Sequence, residues 1–365
     1  MSLFAVLAAI AVLAILIIVH ELGHFLAARL QGIYASRFSI GFGPVLLKYQ
    51  GKETEYALRA IPLGGYVGFP DDEPENHIPA DDPNLLRNRP LMDRAIVISA
   101  GVVANLIFAY VIIVLQFSLL GIPQINPAPG VLIPQVLSSN SAAAKAGIRN
   151  GDVVVAINGQ DLAAQDSAIQ ALMDAIHDHG GEPLRLKIQR QGQFVSVVVT
   201  PSIGEQGKGL IGVQLLPNGN INYRSPHNIT EILTLGAEEF QRIVIRIGQG
   251  FFSLLTHFQE TASQVSGPVK IVEQGATIAQ SDWGGLFRFA AFISVNLAII
   301  NILPLPALDG GQLTFLMIEA LRGGKPLPSQ FQEGVTQTGL VLLLGLGIFL
   351  IVRDTTQLEW VQKLL

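Results

Sequence analysis

The chain has 365 residues, no cysteine, a formal net charge of −5, and 14% charged against 50% hydrophobic residues. Disulfides and thiolate metal ligands are excluded, and no basic tract invites nucleic acid. Charge content far below the roughly 25% of soluble domains points instead to a membrane. The expected fold is a multi-pass α-helical membrane protein with four transmembrane helices, a membrane-associated β-hairpin and an inserted α+β domain. The four spans, each able to cross about 30 Å of hydrocarbon, are 2–19 continuing onward, 95–120, 289–308 and roughly 335–352.

Residues 2–19 are apolar or small and uncharged, and they run directly into His20-Glu21-Leu22-Gly23-His24. On a helix, positions i and i+4 share a face, so His20 and His24 can grip one ion while Glu21 stands beside them as a general base. A signal peptide is the competing reading of 2–19. No Lys or Arg precedes the run and a metal-type motif follows it, which favours a span. An ionisable cluster at a membrane helix is costly and marks a functional site by default. Further on, 45–49 and 54–58 read as strands around the turn Gln50-Gly51-Lys52. The glycine-rich, apolar ends of this hairpin place it against or dipping into the membrane, where protein or water must satisfy its backbone. Residues 71–93, rich in Pro and Asp, read as a surface loop.

The second span leads into 127–202, a small domain with strands expected at 131–136, 151–159, 184–190 and 194–200 and helices at 141–146 and 167–177. Residues 230–258 form an amphipathic helix interrupted by Glu238, Glu239, Arg242 and Arg246. An interfacial position is expected, a fifth span being the competing reading. The domain plan is 1–126 for the first two spans, 127–202 for the inserted domain, 203–285 for a linker with the amphipathic helix, and 286–365 for the last two spans. The first loop carries Arg29, Arg37, Lys48, Lys52, Arg59, Arg87, Arg89 and Arg94, and the N-terminus carries none. Both termini and 121–285 are therefore expected outside.

Two histidines do not complete a catalytic zinc site, which takes three protein ligands and keeps one position for water. His77, His177, His179, His227 and His257 lie in segments read as loops or outside the bilayer. A better third ligand is Asp309, in the run Asn301-Ile302-Leu303-Pro304-Leu305-Pro306-Ala307-Leu308-Asp309-Gly310-Gly311. The first and third spans cross in the same direction, so the histidines and Asp309 fall at similar depth, towards the cytoplasmic side. Pro304 and Pro306 break the helix just before it, a sign of a site or a water-lined cavity. Zinc would activate a water, Glu21 would move its proton, and Asn301, or else Asn296, would support the developing oxyanion. Either asparagine could instead bond neighbouring helices.

These residues resemble the site-2 protease family of intramembrane zinc metalloproteases, in its regulator of sigma E protease-like branch. The resemblance is carried by His20-Glu21-Leu22-Gly23-His24, Ile61-Pro62-Leu63-Gly64-Gly65-Tyr66-Val67, residues 94–105, Ser266-Gly267-Pro268 and residues 296–311. It implies Zn2+ on His20, His24 and Asp309, Glu21 as catalytic base, and Asn301 holding substrate near the metal. It implies that 127–202 is a PDZ domain, single where the branch can carry two. Such a domain captures a peptide or protein partner in a groove between 130–136 and 167–177, or gates access by bulk. The hairpin would hold an unwound substrate extended, with Tyr56 and Leu58 on the receiving edge and Asn296, Pro304 and Pro306 as further substrate contacts. Expected substrates are single-span membrane proteins such as anti-sigma factors, or signal-peptide remnants, cut in a bacterial inner membrane with the PDZ domain periplasmic. Two other readings compete, a membrane-anchored PDZ scaffold with a structural metal site and a metal transporter. A structural site needs no general base such as Glu21, and the long inserted domain gives a transporter no benefit.

Overall fold

The computed structural model describes residues 2–72, 78–138, 140–163, 167–204, 207–258 and 265–357. They form two compact units, Met1–Leu120 with Pro226–Leu365, and Gly121–Ser225.

In the first unit, α1 (Leu3–Leu30) opens at Ser2, whose hydroxyl oxygen accepts the Ala5 N–H. With no proline in its way the helix continues through the histidine motif. β1 (Arg37–Gln50) and β2 (Glu55–Gly68) follow, and each is used twice. Residues 55–58 pair with 37–40 on one side and with 47–50 on the other, while 37–40 pair in turn with 65–68. This makes a four-segment sheet with 65–68 on one rim and 45–50 on the other. A simple hairpin at 45–49 and 54–58 is only one side of it, because the second pairing is a long-range contact that strand periodicity does not encode. α2 (Leu91–Leu119) then lies along α1. The two backbones meet at Gly23, where an added Cβ would sit 2.5 Å from the Ala100 carbonyl oxygen.

The second unit holds β3 (Ile122–Ile133), α3 (Ala142–Lys145), β4 (Asp152–Ile157), β5 (Gln160–Asp161), α4 (Ser167–Asp178), β6 (Leu184–Arg190), β7 (Gln193–Val199), β8 (Ser202–Ile203), β9 (Gly209–Leu210) and β10 (Leu216–Arg224). Its main sheet is antiparallel in the order β10-β3-β4-β6-β7, with β5 on β4. Alternation along the strands sends Val154, Leu184, Leu186 and Ile188 into a core closed by Leu172 and Ile176 of α4. Asp152 is buried beside this core, and both of its oxygens accept bonds of 2.7 Å from Arg190. The unit is wider than the 127–202 expected from sequence, because β10 returns to pair with an early-starting β3.

The first unit resumes with α5 (Ile229–Thr256), which buries Ile232, Gly236, Ile243 and Ile247 and leaves Glu238, Arg242 and Arg246 exposed. Tyr110 of α2 anchors it through an edge contact with Phe240 and a 3.2 Å hydrogen bond to the Leu233 carbonyl. α6 (Pro268–Ser281) packs Ala276 and Ala279 against α1. α7 (Trp283–Ile302) starts and ends earlier than the span expected at 289–308. Asp282 caps its start, and Pro304 forces Leu303 into an extended conformation with ψ 143°. α8 (Asp309–Leu321) begins after the break, and α9 (Ser329–Gln357) closes the described chain. Asp354 of α9 accepts the Lys270 N–H at 3.1 Å, capping α6 from a distance in sequence.

Among the described residues, four helices (α1, α2, α7 and α9) are long and apolar enough to cross a membrane. α9 leaves Leu340, Val341, Leu342, Ile348 and Phe349 exposed. Each such side chain left in water forgoes roughly 1.5–3 kcal/mol of burial, which lipid restores.

Candidate metal centre

α1 sets His20 and His24 one turn apart on one face, and the broken segment 303–308 delivers Asp309 at the first turn of α8. The two Nε2 atoms are 3.2 Å apart, and they lie 3.3 and 3.4 Å from Asp309 Oδ2. Among the described residues this is the one group of metal-ligating side chains with converging donor atoms. His20 is 8% exposed, and Asp309 Oδ2 is buried with no hydrogen-bond donor. A tetrahedral ion bound at about 2.0–2.1 Å holds its ligand atoms roughly 3.3–3.4 Å apart. The near-equilateral triangle of donor atoms therefore fits zinc, and three ligands of this kind leave a position for water or substrate.

The rings are held from behind by α2. His24 Nδ1 lies 2.8 Å from the Val97 carbonyl, which places its proton on Nδ1 and frees Nε2 for a metal. His20 Nδ1 lies 3.3 Å from the side-chain amide of Asn105. Between them, Gly101 gives the rings room: an added Cβ would sit 2.3 Å from His24 Nε2. Asn301, near the end of α7, brings its amide 3.2 Å from His20 Nε2. The break after it is tight. Ala307 takes a left-handed φ of 69°, and a Cβ on Gly310 would meet the Leu303 carbonyl oxygen at 2.1 Å. Glu21 lies against the rim 65–68, where a Cβ added at Gly65 would sit 2.9 Å from its Cγ. A cavity of about 410 Å³ covers the triangle, lined by Glu21, Gly65, Tyr66, Val67 and Gln312 among others.

His20, Glu21, His24, Asn301 and Asp309 are thus brought together. Asn296 is half-buried on α7 and does not line the cavity. Pro304 is exposed and Pro306 is half-buried, and Pro306 abuts Gly339 of α9, so both shape the loop rather than the cavity wall. Tyr56 and Leu58 require a correction. They lie in 55–58, which is paired on both sides, and so are not on an edge. The rim beside Glu21 is 65–68. His77 lies outside the described residues, and His177, His179, His227 and His257 take no part in the triangle. Sequence reasoning missed Val97, Gly101, Asn105 and Gly65 as parts of the site. One signal was present, a lone asparagine in the middle of a mostly apolar span, spaced four residues after a glycine.

The model of peptidase family M50 matches residues 8–346. A protein of Nostoc sp. (strain PCC 7120), named as a zinc metalloprotease, is 60% identical over 365 residues, covering 99% of this chain and 99% of its own. A protein of Synechocystis sp. (strain PCC 6803) with the same type of name is 58% identical over 100% of this chain and 98% of its own. Membrane metalloprotease ARASP, chloroplastic, of Arabidopsis thaliana is 46% identical over 99% of this chain and 81% of its own. Of solved structures, the PDZ domain of an SdrC-like protein from Listeria monocytogenes aligns with 24% of this chain and 87% of that one, at 21% identity and a TM-score of 0.21.

Proposed function

The chain belongs to peptidase family M50 and is a zinc metalloprotease, and from that premise we propose an endopeptidase that hydrolyses peptide bonds within or near transmembrane segments. The observation that carries this reading is the triangle of His20, His24 and Asp309 with Glu21 alongside, two of its corners standing on an apolar helix long enough to span. Zinc held by these three side chains would polarise the attacking water and the scissile carbonyl. Glu21, packed against Gly65 of the rim, takes the proton from that water and hands it to the leaving nitrogen. The Asn301 amide supports the carbonyl oxygen as negative charge develops there.

A helical substrate must unwind before its backbone can be attacked. The rim 65–68 pairs with 37–40 on one side, while Gly65, Tyr66 and Val67 line the cavity. A substrate laid along that rim as an added strand would be held extended past Glu21. Single-span membrane proteins, including anti-sigma factors, and signal-peptide remnants are the substrates of this reading. The active site lies towards the cytoplasmic side of a bacterial plasma membrane, with the PDZ-like unit outside, binding a peptide or gating access. The chloroplastic location in the name of the Arabidopsis relative favours a photosynthetic membrane as the second reading.

The test is to incubate the purified chain and Glu21→Gln with a single-span substrate in detergent. Both should bind zinc, and the variant should cut at least about 100-fold more slowly. Equal cutting would remove Glu21 from the mechanism. No cutting by either, across many substrates, would favour a membrane-anchored scaffold.

A further inference from the structure

A neutral imidazole carries one proton on two nitrogens. Nε2 of His20 belongs to the ligand triangle, so a metal-holding His20 carries its proton on Nδ1. The group facing Nδ1 is the amide of Asn105, 3.3 Å away on a residue with no exposed surface. In the structure this amide turns its NH2 towards Nδ1 and leaves Oδ1 buried without a partner. That orientation would set two N–H groups against each other once Nδ1 is protonated. The nitrogen and oxygen of a side-chain amide are distinguished only by their bonding network. Turned end for end, the same amide presents Oδ1 to the Nδ1–H.

We infer that Asn105 accepts the Nδ1 proton of His20, and so acts as a positioning residue that fixes the tautomer and aim of this metal-ligating ring. His24 has the matching arrangement, with its Nδ1 bonded to the Val97 carbonyl at 2.8 Å. Val97, Gly101 and Asn105 are spaced four residues apart and share one face of α2, so one helix steadies both rings through the nitrogens that turn away from the metal. Asn105 is itself anchored, since its backbone carbonyl accepts the Ser294 hydroxyl of α7 at 2.8 Å. Its burial leaves no bulk water to replace the side chain if it is removed. The inference rests on the assignment of His20 as a zinc ligand.

The experiment measures zinc affinity of the full chain in detergent by competition with a fluorescent chelator, for the parent, Asn105→Leu, Asn105→Asp and His20→Ala. Loss of a partner behind a ligating histidine typically weakens binding about 10- to 100-fold. Asn105→Leu should fall in that range, with apo unfolding close to that of the parent. Asn105→Asp can accept but not donate, and should bind at least as tightly as the parent. Parent-like affinity in Asn105→Leu, or an Asn105→Asp loss equal to that of Leu, overturns the inference. If the Leu variant does not fold, the Asp variant decides alone: affinity about tenfold or more below the parent overturns the inference, and affinity at or above the parent's supports it. Parent-like affinity in His20→Ala would instead overturn the ligand assignment itself.

Discussion

Adding one methyl group at Gly101 probes the ligand geometry most directly. In Gly101→Ala the new Cβ would lie 2.3 Å from His24 Nε2, 2.7 Å from His20 Cε1 and 2.8 Å from His20 Nδ1. Carbon contacts settle at about 3.5–4.0 Å, so the His24 ring must retreat by roughly 1 Å. Parting the helices would undo the close backbone packing of α1 on α2 at Gly23 and Ala100. The rings are the softer element and will turn. Overpacking of this size costs stability about 1–3 kcal/mol. Metal ligation is less forgiving, since donor distances are good to about ±0.2 Å. Zinc affinity should therefore fall at least about 100-fold, or about 2.8 kcal/mol at 1.4 kcal/mol per decade. Chelator competition reads the affinity, and thermal unfolding of the apo form reads the fold. Gly248→Ala, where an added Cβ meets nothing within 4 Å, should match the parent in zinc affinity and lose no stability. Affinity within threefold of the parent in Gly101→Ala would refute the packing of α2 against the ligands.

Val67→Pro removes a backbone N–H from the rim that lines the cavity beside Glu21 and should abolish cleavage while zinc stays bound; parent-like turnover would show that the rim 65–68 is not used. Gly339→Val drives a Cβ to 2.2 Å from Pro306 Cβ and should lower cleavage at least about tenfold through the loop that leads to Asp309. Gly345→Ala, with nothing within 4 Å, is its control, and equal turnover in the two would break the link from α9 to the loop. In the second unit, burial would raise the Asp152 carboxyl, but the Arg190 guanidinium and the Arg149 N–H hold it below the usual carboxylate value. A depressed folded value stabilises the unit above the unfolded value of about 3.9, and that stability is lost as pH falls through the folded value. Arg190→Met should weaken amide protection of β4 and β6 by about 3 kcal/mol at pH 7. The gap from the parent should shrink as pH falls, beginning above the ordinary carboxylate value because the stranded, buried carboxylate takes up its proton early. A gap that does not change with pH would exclude the ion pair as its source.

Much of this protein can be read from local pattern. The membrane class, His20, Glu21, His24 and Asp309 follow from rules that act within a few residues: uncharged runs of spanning length, i and i+4 sharing a helix face, and proline ending a helix. The convergence of Asp309 on the two histidines was also expected, on the reading that two spans crossing in one direction bring their late ends to the same depth. Other features depend on partners far away in sequence. Tyr56 and Leu58 look like edge residues until 37–40 and 47–50 cover both their flanks, and that leaves 65–68 as the rim. β10 widens the second unit because β3 is there to pair with it. Asn105 reads as one polar residue in an apolar helix until packing at Gly23 carries it to the back of His20. The chain alone determined which atoms could hold a metal and cut a peptide, since helix pitch and the cost of burying polar groups are local properties. Only the tertiary structure decided which backbone edge and which buried amide lie beside those atoms, since hydrogen-bond partners across long loops are chosen by packing.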